Sequence, residues 1–123
     1  MPRAPSHRQP ASPLTPAALH VMLALADGER HGYAIAREIE SVSHGAVRMG
    51  PGTLYGTLQR LVSAALVEPA HAPRRGDDDP RRRYYRLTVK GRAALRSEVD
   101  RLAAVVSVAR RRRLLDTSRP ETA

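Results

Sequence analysis

The 123-residue sequence contains no cysteine, phenylalanine, tryptophan or asparagine, and Lys90 is its only lysine. Without cysteine the chain has no disulfide framework, no thiolate nucleophile and no cysteine-ligated zinc site. The longest apolar run, Ala17–Ala26, is interrupted by His20 and is much shorter than the ~20 residues that span a bilayer. Residues Met1–Pro13 are basic and rich in proline, without the apolar stretch of a secretory signal. These absences predict a cytoplasmic protein with no membrane partner.

Positive charge is the most unusual property of the composition. The chain carries 21 Lys and Arg against 12 Asp and Glu, a formal net charge of +9, with an ordinary 41% of hydrophobic residues. Such a field favours polyanionic partners, with nucleic acid ahead of an anionic membrane surface. Charge alone is a weak indicator of function, because many basic proteins associate with nucleic acid non-specifically.

Proline, glycine and apolar periodicity divide the chain into four parts. We predict a disordered basic tail over 1–13, one domain over 14–88, a long C-terminal helix over 89–115 and a frayed tail over 116–123. Within the domain, helices are predicted over 17–26, 32–42 and 52–65. They are followed by strands over 66–70 and 81–88, with Pro69 favouring an edge position for the first strand. The tyrosines Tyr33, Tyr84 and Tyr85 are expected to pack in the core or against the strands.

The third predicted helix has the composition of a DNA-recognition helix. Its leucines Leu54, Leu58 and Leu61 fall on one stripe and are assigned to the core, and the helix contains no acidic residue. Small and polar side chains on the opposite face suit the major groove, because carboxylates there would face phosphates. We expect this face to contact DNA through Thr53, Gly56, Gln59 and Arg60.

Three helices followed by a two-stranded hairpin is the order of a winged helix-turn-helix domain, a mainly α fold with a small β-hairpin. The loop of the hairpin carries Asp77–Asp79 at its tip, and these carboxylates would repel phosphates. Contacts with the DNA backbone or the minor groove are therefore expected from the flanking arginines. These are Arg74, Arg75, Arg81, Arg82 and Arg83.

Apolar residues recur along 89–115 at alternating spacings of four and three, which predicts a dimerisation helix. The first helix is apolar on more than one face and is expected to join the interface. The cleft between these helices is a candidate site for a small-molecule effector, with Met22 in its wall. The predicted dimerisation residues are Leu19, Met22, Leu95, Val99, Leu102, Val106 and Ala109.

At four short motifs the sequence resembles the PadR family of bacterial transcriptional regulators. They are Leu14-Thr15-Pro16, His31-Gly32-Tyr33-Ala34-Ile35, Pro51-Gly52-Thr53-Leu54-Tyr55 with Leu58 and Arg60-Leu61, and Tyr84-Tyr85-Arg86-Leu87-Thr88 with Lys90-Gly91. The resemblance covers about residues 14–115 and implies a homodimeric winged-helix repressor of the short form, with a single C-terminal dimerisation helix. It also implies that Thr53, Tyr55 and the wing arginines contact DNA, with Tyr55 at a phosphate. From the residues alone, Tyr55 could equally be a packing residue.

Two other functions use the same features differently. A winged-helix protein-interaction module would carry its charge incidentally, but the acid-free third helix favours DNA. An enzyme is ranked last, because the sequence shows no nucleophile–base pair, no phosphate-binding glycine loop and no paired carboxylates. The five histidines never occur at the i, i+4 spacing of a helical metal site, so no metal or other cofactor is expected. The sequence therefore predicts a repressor that binds an inverted repeat in double-stranded DNA as a homodimer.

Overall fold

The computed structural model describes residues 14–71 and 82–115. The predicted tails and the wing residues Arg74, Arg75, Asp77–Asp79 and Arg81 lie outside the described residues. The described part forms, in chain order, α1 Pro16–Ala24, β1 Arg30–His31, α2 Gly32–Val42, α3 Pro51–Ser63, β2 Val67–Ala70, β3 Tyr84–Leu87 and α4 Val89–Arg111. Four helices and a small antiparallel sheet agree with the predicted fold class.

The sheet has three strands rather than the predicted two. β1 pairs with β3, so that the strand order is β1-β3-β2. β1 was missed because two residues are too few to show an alternating pattern. β2 lies at an edge of the sheet, where Pro69 faces Tyr85 of β3, as the proline predicted.

Side-chain caps and prolines begin the helices where the sequence indicated. Thr15 Oγ1 accepts a hydrogen bond from the Ala18 N–H at 3.1 Å, and Pro16 occupies the first turn of α1. Thr88 Oγ1 accepts from the Gly91 N–H at 2.9 Å and caps α4. Each cap satisfies a backbone donor that the first turn of a helix leaves without an intrahelical partner.

Non-glycine residues in the left-handed conformation end the later helices, and after α2 the next residue, Gly45, is also left-handed with φ 82°. The backbone φ is 54° at His44 after α2, 63° at Ala65 after α3 and 62° at Arg113 after α4. After α3, the Leu66 N–H donates to the Leu61 carbonyl at 2.9 Å, the long hydrogen bond of a Schellman motif. This termination places the end of α3 at Ser63, two residues before the predicted boundary.

The core lies between α1, α2, α3 and the N-terminal half of α4. It contains two residues that the sequence analysis assigned to a dimer interface. Met22 is 0% exposed and Leu95 is 5% exposed, within a cluster that includes Leu54, Leu58 and Leu61. Because both side chains are covered by their own chain, neither offers surface to a second subunit. Met22 and Leu95 are therefore core residues and not interface residues as predicted. Met22 also does not line the wall of an effector cleft. The core assignment of the three leucines is confirmed.

The start of α4 packs directly on the end of α3. A Cβ atom at buried Gly91 would overlap the backbone carbonyl of Leu66. Thr88 donates from its hydroxyl to the Ala65 carbonyl at 2.6 Å and from its N–H to the Leu66 carbonyl at 3.1 Å. Hydrogen bonds and close backbone packing thus join the third helix to the fourth.

Candidate nucleic-acid interface

One side of α3 is buried and the other is open to solvent. The buried side holds Leu54, Thr57, Leu58 and Leu61. The open side is a shallow groove, and its lining contains no carboxylate. It is lined by Gly56, Gln59, Arg60, Ser63 and Ala64. Three of the predicted contact residues, Gly56, Gln59 and Arg60, therefore lie together on an exposed and acid-free surface.

The Arg60 side chain is held against its own helix. Its Nη2 donates to Thr57 Oγ1 at 3.4 Å, and the Thr57 residue is 1% exposed. A Cβ atom at Gly56 would lie 3.7 Å from Arg60 Nη1, which is ordinary van der Waals contact. Packing within the chain therefore does not require glycine at position 56, and its small size leaves room for close approach from outside.

Tyr55 lies on the opposite shoulder of the exposed face from Thr53, and both residues are exposed. The Tyr55 ring covers the backbone of Gly32 at the start of α2, where an added Cβ would collide with the phenol. The residue nevertheless keeps 48% of its surface exposed. Packing accounts for one part of the ring, and the exposed part faces a second groove.

This second groove runs from α3 to the start of α2 and to the residues before β3. It is lined by His31, Gly32, Tyr33, Tyr55, Arg82 and Arg83. Of the predicted wing arginines, the structure describes Arg82 and Arg83, and both are exposed residues in the groove that Tyr55 also lines. The first groove thus contains Arg60 and the second contains Arg82 and Arg83, and the neighbouring α3 residues Gly56 and Tyr55 line one groove each.

Tyr33 is one of the residues of this surface that the sequence reasoning missed. It was expected to pack in the core but is 61% exposed, whereas Tyr84 is buried as expected. Arg37, one turn further along α2, holds its guanidinium carbon 5.6 Å from the centre of the Tyr33 ring. The signal available in the sequence was the i, i+4 spacing of an arginine after a tyrosine at the beginning of a helix.

The outer face of α4 is the second surface of interest. Val99, Leu102 and Val106 are 41%, 37% and 43% exposed, and they share one side of the helix with the half-buried Ala109. We call these four residues the α4 stripe. Leu19 of α1 is half-buried and packs against the core. The stripe therefore presents apolar side chains that the single chain does not cover.

Two kinds of site are not found within residues 14–71 and 82–115. No group of three or more His, Asp or Glu side chains there is arranged to hold a metal ion. No helix in the same part of the chain is long and apolar enough to cross a membrane.

Comparison with known sequences gives a consistent result. The profile of the transcriptional regulator PadR-like family matches residues 21–97. An uncharacterized 37.1 kDa protein in transposon TN4556 of Streptomyces fradiae is 45% identical over 83 residues, which cover 68% of this chain and 22% of that protein. The transcriptional regulator Rv3488 of Mycobacterium tuberculosis is 43% identical over 77 residues, or 63% of this chain and 66% of that protein. The chain thus spans less than two thirds of the length of either relative.

The fold is also found among solved structures. A PadR family transcription regulator from Clostridium difficile R20291 superposes with a TM-score of 0.65 at 22% identity, over 77% of this chain and 95% of that one. This likeness confirms the predicted fold class, and the sequence profile covers the domain that contains α3 and the sheet. The chain therefore belongs to the PadR-like family of transcriptional regulators, which bind DNA and are not enzymes.

Proposed function

We propose that this regulator is a cytoplasmic repressor that binds an inverted-repeat operator as a homodimer. The observation that carries the proposal is the exposed, acid-free face of α3, on which Gln59 and Arg60 flank the small residue Gly56. A helix must approach base edges closely to read them, and a face without carboxylates can do so beside the phosphates.

Each side chain of this face suits a different contact. Gln59 can form a bidentate pair with an adenine, and Arg60 can pair with a guanine or a phosphate. Thr53, in the first turn of α3, can donate to a phosphate or a base. Arg82 and Arg83, at the base of the hairpin, are suited to the flanking backbone, because guanidinium groups bind phosphate oxygens with two parallel hydrogen bonds.

The homodimer is proposed from the α4 stripe. Its exposed apolar surface would be removed from water by the same surface of a second chain, since two-fold interfaces are self-complementary. Leu23 of α1, which is 44% exposed, and Leu19 would extend the contact. Two α3 helices related by a two-fold axis would then meet major grooves about 34 Å apart on one face of the DNA.

Control by a small-molecule effector is proposed for the cleft between the α1 and α4 helices of the two subunits. A ligand bound there alters operator affinity only when it favours one spacing of the two α3 helices over another. The buried Met22 does not face this cleft, so exposed residues such as Leu23 would supply its wall. An aromatic-stacking pocket is not proposed, because residues 89–115 contain no aromatic side chain.

The test begins by selecting duplexes from a random-sequence library with the full chain. We expect an enriched inverted repeat whose half-site centres are about one helical turn apart, and an affinity that falls steeply as salt rises. Light scattering on the free protein and on the complex should give two chains per molecule. Failure to bind any duplex in a salt-sensitive manner would favour the alternative, a protein-interaction module.

A further inference from the structure

We infer that the start of α2 and the start of β3 form a second contact surface for the DNA backbone, outside the recognition helix. This α2 surface consists of His31, Tyr33, Arg37 and Arg82, which line one continuous depression. Its partner is a phosphate of the DNA strand that borders the groove read by α3. The inference rests on the proposed function and adds to it three residues, His31, Tyr33 and Arg37, that the recognition-helix contacts do not include.

Aromatic and cationic side chains are stacked on this surface in a fixed arrangement. The Tyr33 and His31 rings are 6.4 Å apart between centroids with an interplanar angle of 1°. The Arg37 guanidinium lies over the Tyr33 ring at 5.6 Å. Cation–π contact restrains the arginine without using its N–H donors, which stay available to an acceptor. A phenol hydroxyl and a guanidinium held in place on an exposed surface suit phosphate oxygens.

The His31 ring joins the start of α2 to the residues before β3. Its Nδ1 accepts a hydrogen bond from the Ala34 N–H at 3.2 Å and caps α2. Its Nε2 lies 3.2 Å from Nη1 of Arg82, so the imidazole holds this guanidinium beside the α2 surface. Because a guanidinium carries five N–H donors in a planar fork, one contact with the imidazole leaves others that suit an anionic oxygen.

Tyr55 connects the α2 surface to the recognition helix. Its ring covers Gly32, and it lines the groove that also contains His31, Tyr33 and Arg82. In helix-turn-helix complexes the helix before the recognition helix crosses the DNA backbone. A strand bordering the groove read by α3 would therefore pass over Tyr55 and onto the α2 surface.

The balance of charge on this surface also fits a phosphate. Glu38 is the carboxylate that lines the depression, and it lies 3.6 Å from the guanidinium of Arg30. Arg30 in turn is 3.4 Å from Asp27 and donates from Nε to the Ala24 carbonyl at 2.8 Å. Arg30 is thus shared by two carboxylates. The lining of the depression still holds three arginines, Arg30, Arg37 and Arg82, against the single carboxylate of Glu38, which leaves it with a net positive charge.

The test compares variants of the full chain on two duplexes, one selected by the wild-type protein from a random library and one of mixed sequence. R37Q removes a positive charge from the α2 surface, and Y33F removes a hydroxyl. The control is R110Q, which removes one positive charge from α4. We expect R37Q to bind both duplexes about 3- to 10-fold more weakly and to lower the salt slope by about one, because one arginine–phosphate pair no longer forms. Y33F should weaken binding to both duplexes by a smaller factor. R110Q should change neither the affinity for either duplex nor the salt slope.

A fourth variant, Q59A, separates this inference from the proposed function. It should weaken binding to the selected duplex and leave the mixed duplex unchanged, because a base contact carries the sequence preference. When Q59A shows that pattern and R37Q and Y33F both match R110Q, the α2 surface is refuted and the proposed function stands. When the wild-type protein binds neither duplex in a salt-dependent manner, the proposed function fails, and the α2 surface fails with it.

Methylphosphonate substitution gives a second, independent readout. Replacing single phosphates of the selected duplex by neutral methylphosphonates should identify a position at which the wild-type protein loses affinity and R37Q loses none further. Such non-additivity is expected when the arginine and that phosphate are partners. Full additivity at every position of the selected duplex would overturn the assignment of Arg37 to a phosphate.

Discussion

The ammonium group of Lys90 donates a hydrogen bond to the backbone carbonyl of Ala64 at 3.1 Å, which joins the first turn of α4 to the last turn of α3. Lys90 is the only lysine in the chain, and it acts where the last carbonyls of a helix lack intrahelical partners and attract a cation. Thr88 and Gly91 contact the residues that follow α3 beside this hydrogen bond, so the orientation of α3 relative to α4 is fixed. The geometry of a dimer built on α4 would therefore be transmitted directly to the recognition helices.

We predict that K90M lowers the free energy of unfolding by about 1 kcal/mol, the usual net worth of one hydrogen bond. The matched control is R96M, which removes a cation from an exposed position of α4 without this contact. Chemical denaturation monitored by circular dichroism measures both variants. Equal stabilities for K90M and R96M would contradict a role for Lys90 in joining the two helices.

The close packing of Gly91 predicts a larger effect. G91A should destabilise the chain by about 1–3 kcal/mol, because the added methyl must displace the backbone carbonyl of Leu66 rather than a flexible side chain. Gly52 is the control, since a Cβ there meets nothing within 4 Å. G52A should leave stability unchanged or raise it by up to about 1 kcal/mol, as alanine generally does within a helix. A neutral G91A would show that α4 can separate from Leu66 at little cost.

The left-handed conformation of Ala65 predicts a stabilising substitution. A65G should raise the free energy of unfolding by about 1 kcal/mol, because an L-residue at φ 63° carries a penalty that glycine lacks. A64G tests the neighbouring residue, whose φ is −86°, and it should destabilise by about 0.5–1 kcal/mol. Thermal unfolding of the two variants should therefore shift in opposite directions, and a shift in the same direction would argue against the Schellman ending of α3.

The α4 stripe predicts that acidic residues prevent association. L102E combined with V106E should yield a monomer in size-exclusion chromatography with light scattering, because charged residues in an apolar interface lack partners. V89E is the control, since Val89 is 91% exposed at the other end of α4, and it should remain dimeric. Loss of the dimer should also weaken operator binding, because two half-sites are then no longer engaged together. A dimeric double variant would move the interface elsewhere.

The cationic face predicts which arginines carry binding. R60A, and R82A combined with R83A, should weaken binding to the selected duplex and reduce its dependence on salt, while the melting temperature stays close to that of the wild type. Removing each arginine that pairs with a phosphate should lower the slope of log affinity against log salt by about one. R110A, at an exposed site of α4, provides the reference in fluorescence anisotropy titrations. Unchanged affinities in both arginine variants would remove this surface from the DNA interface.

Periodicity and local signals were sufficient for the helices and for the face of α3. Leucines at spacings of four and three must share a side of a helix, and that side must be buried in a small domain. The prolines and threonine caps then placed the starts of α1 and α4 within a residue of their observed positions. An acid-free polar face followed directly, since burial of the leucine stripe leaves Gly56, Gln59 and Arg60 outside.

The tertiary structure was needed to show which apolar faces of the helices are covered within the chain. Met22 and Leu95 belong to stripes that look available for a partner, but the packing of α1, α3 and α4 buries both within one chain. Tyrosine is a residue type that often packs in a core, but Tyr33 lies outside it. The buried side of α2 is filled by Ile35 and Ile39 instead.

The sequence by itself determined the helices, the winged helix-turn-helix class and the residues on the open face of α3, because these depend on contacts a few positions apart. Only the tertiary structure decided the pairing of β1 with β3, the junction of Lys90 with Ala64 and the meeting of His31 with Arg82. Such contacts join residues that lie 26 and 51 positions apart in the last two cases. Local periodicity carries no information about them, since they arise only when the core brings distant segments together.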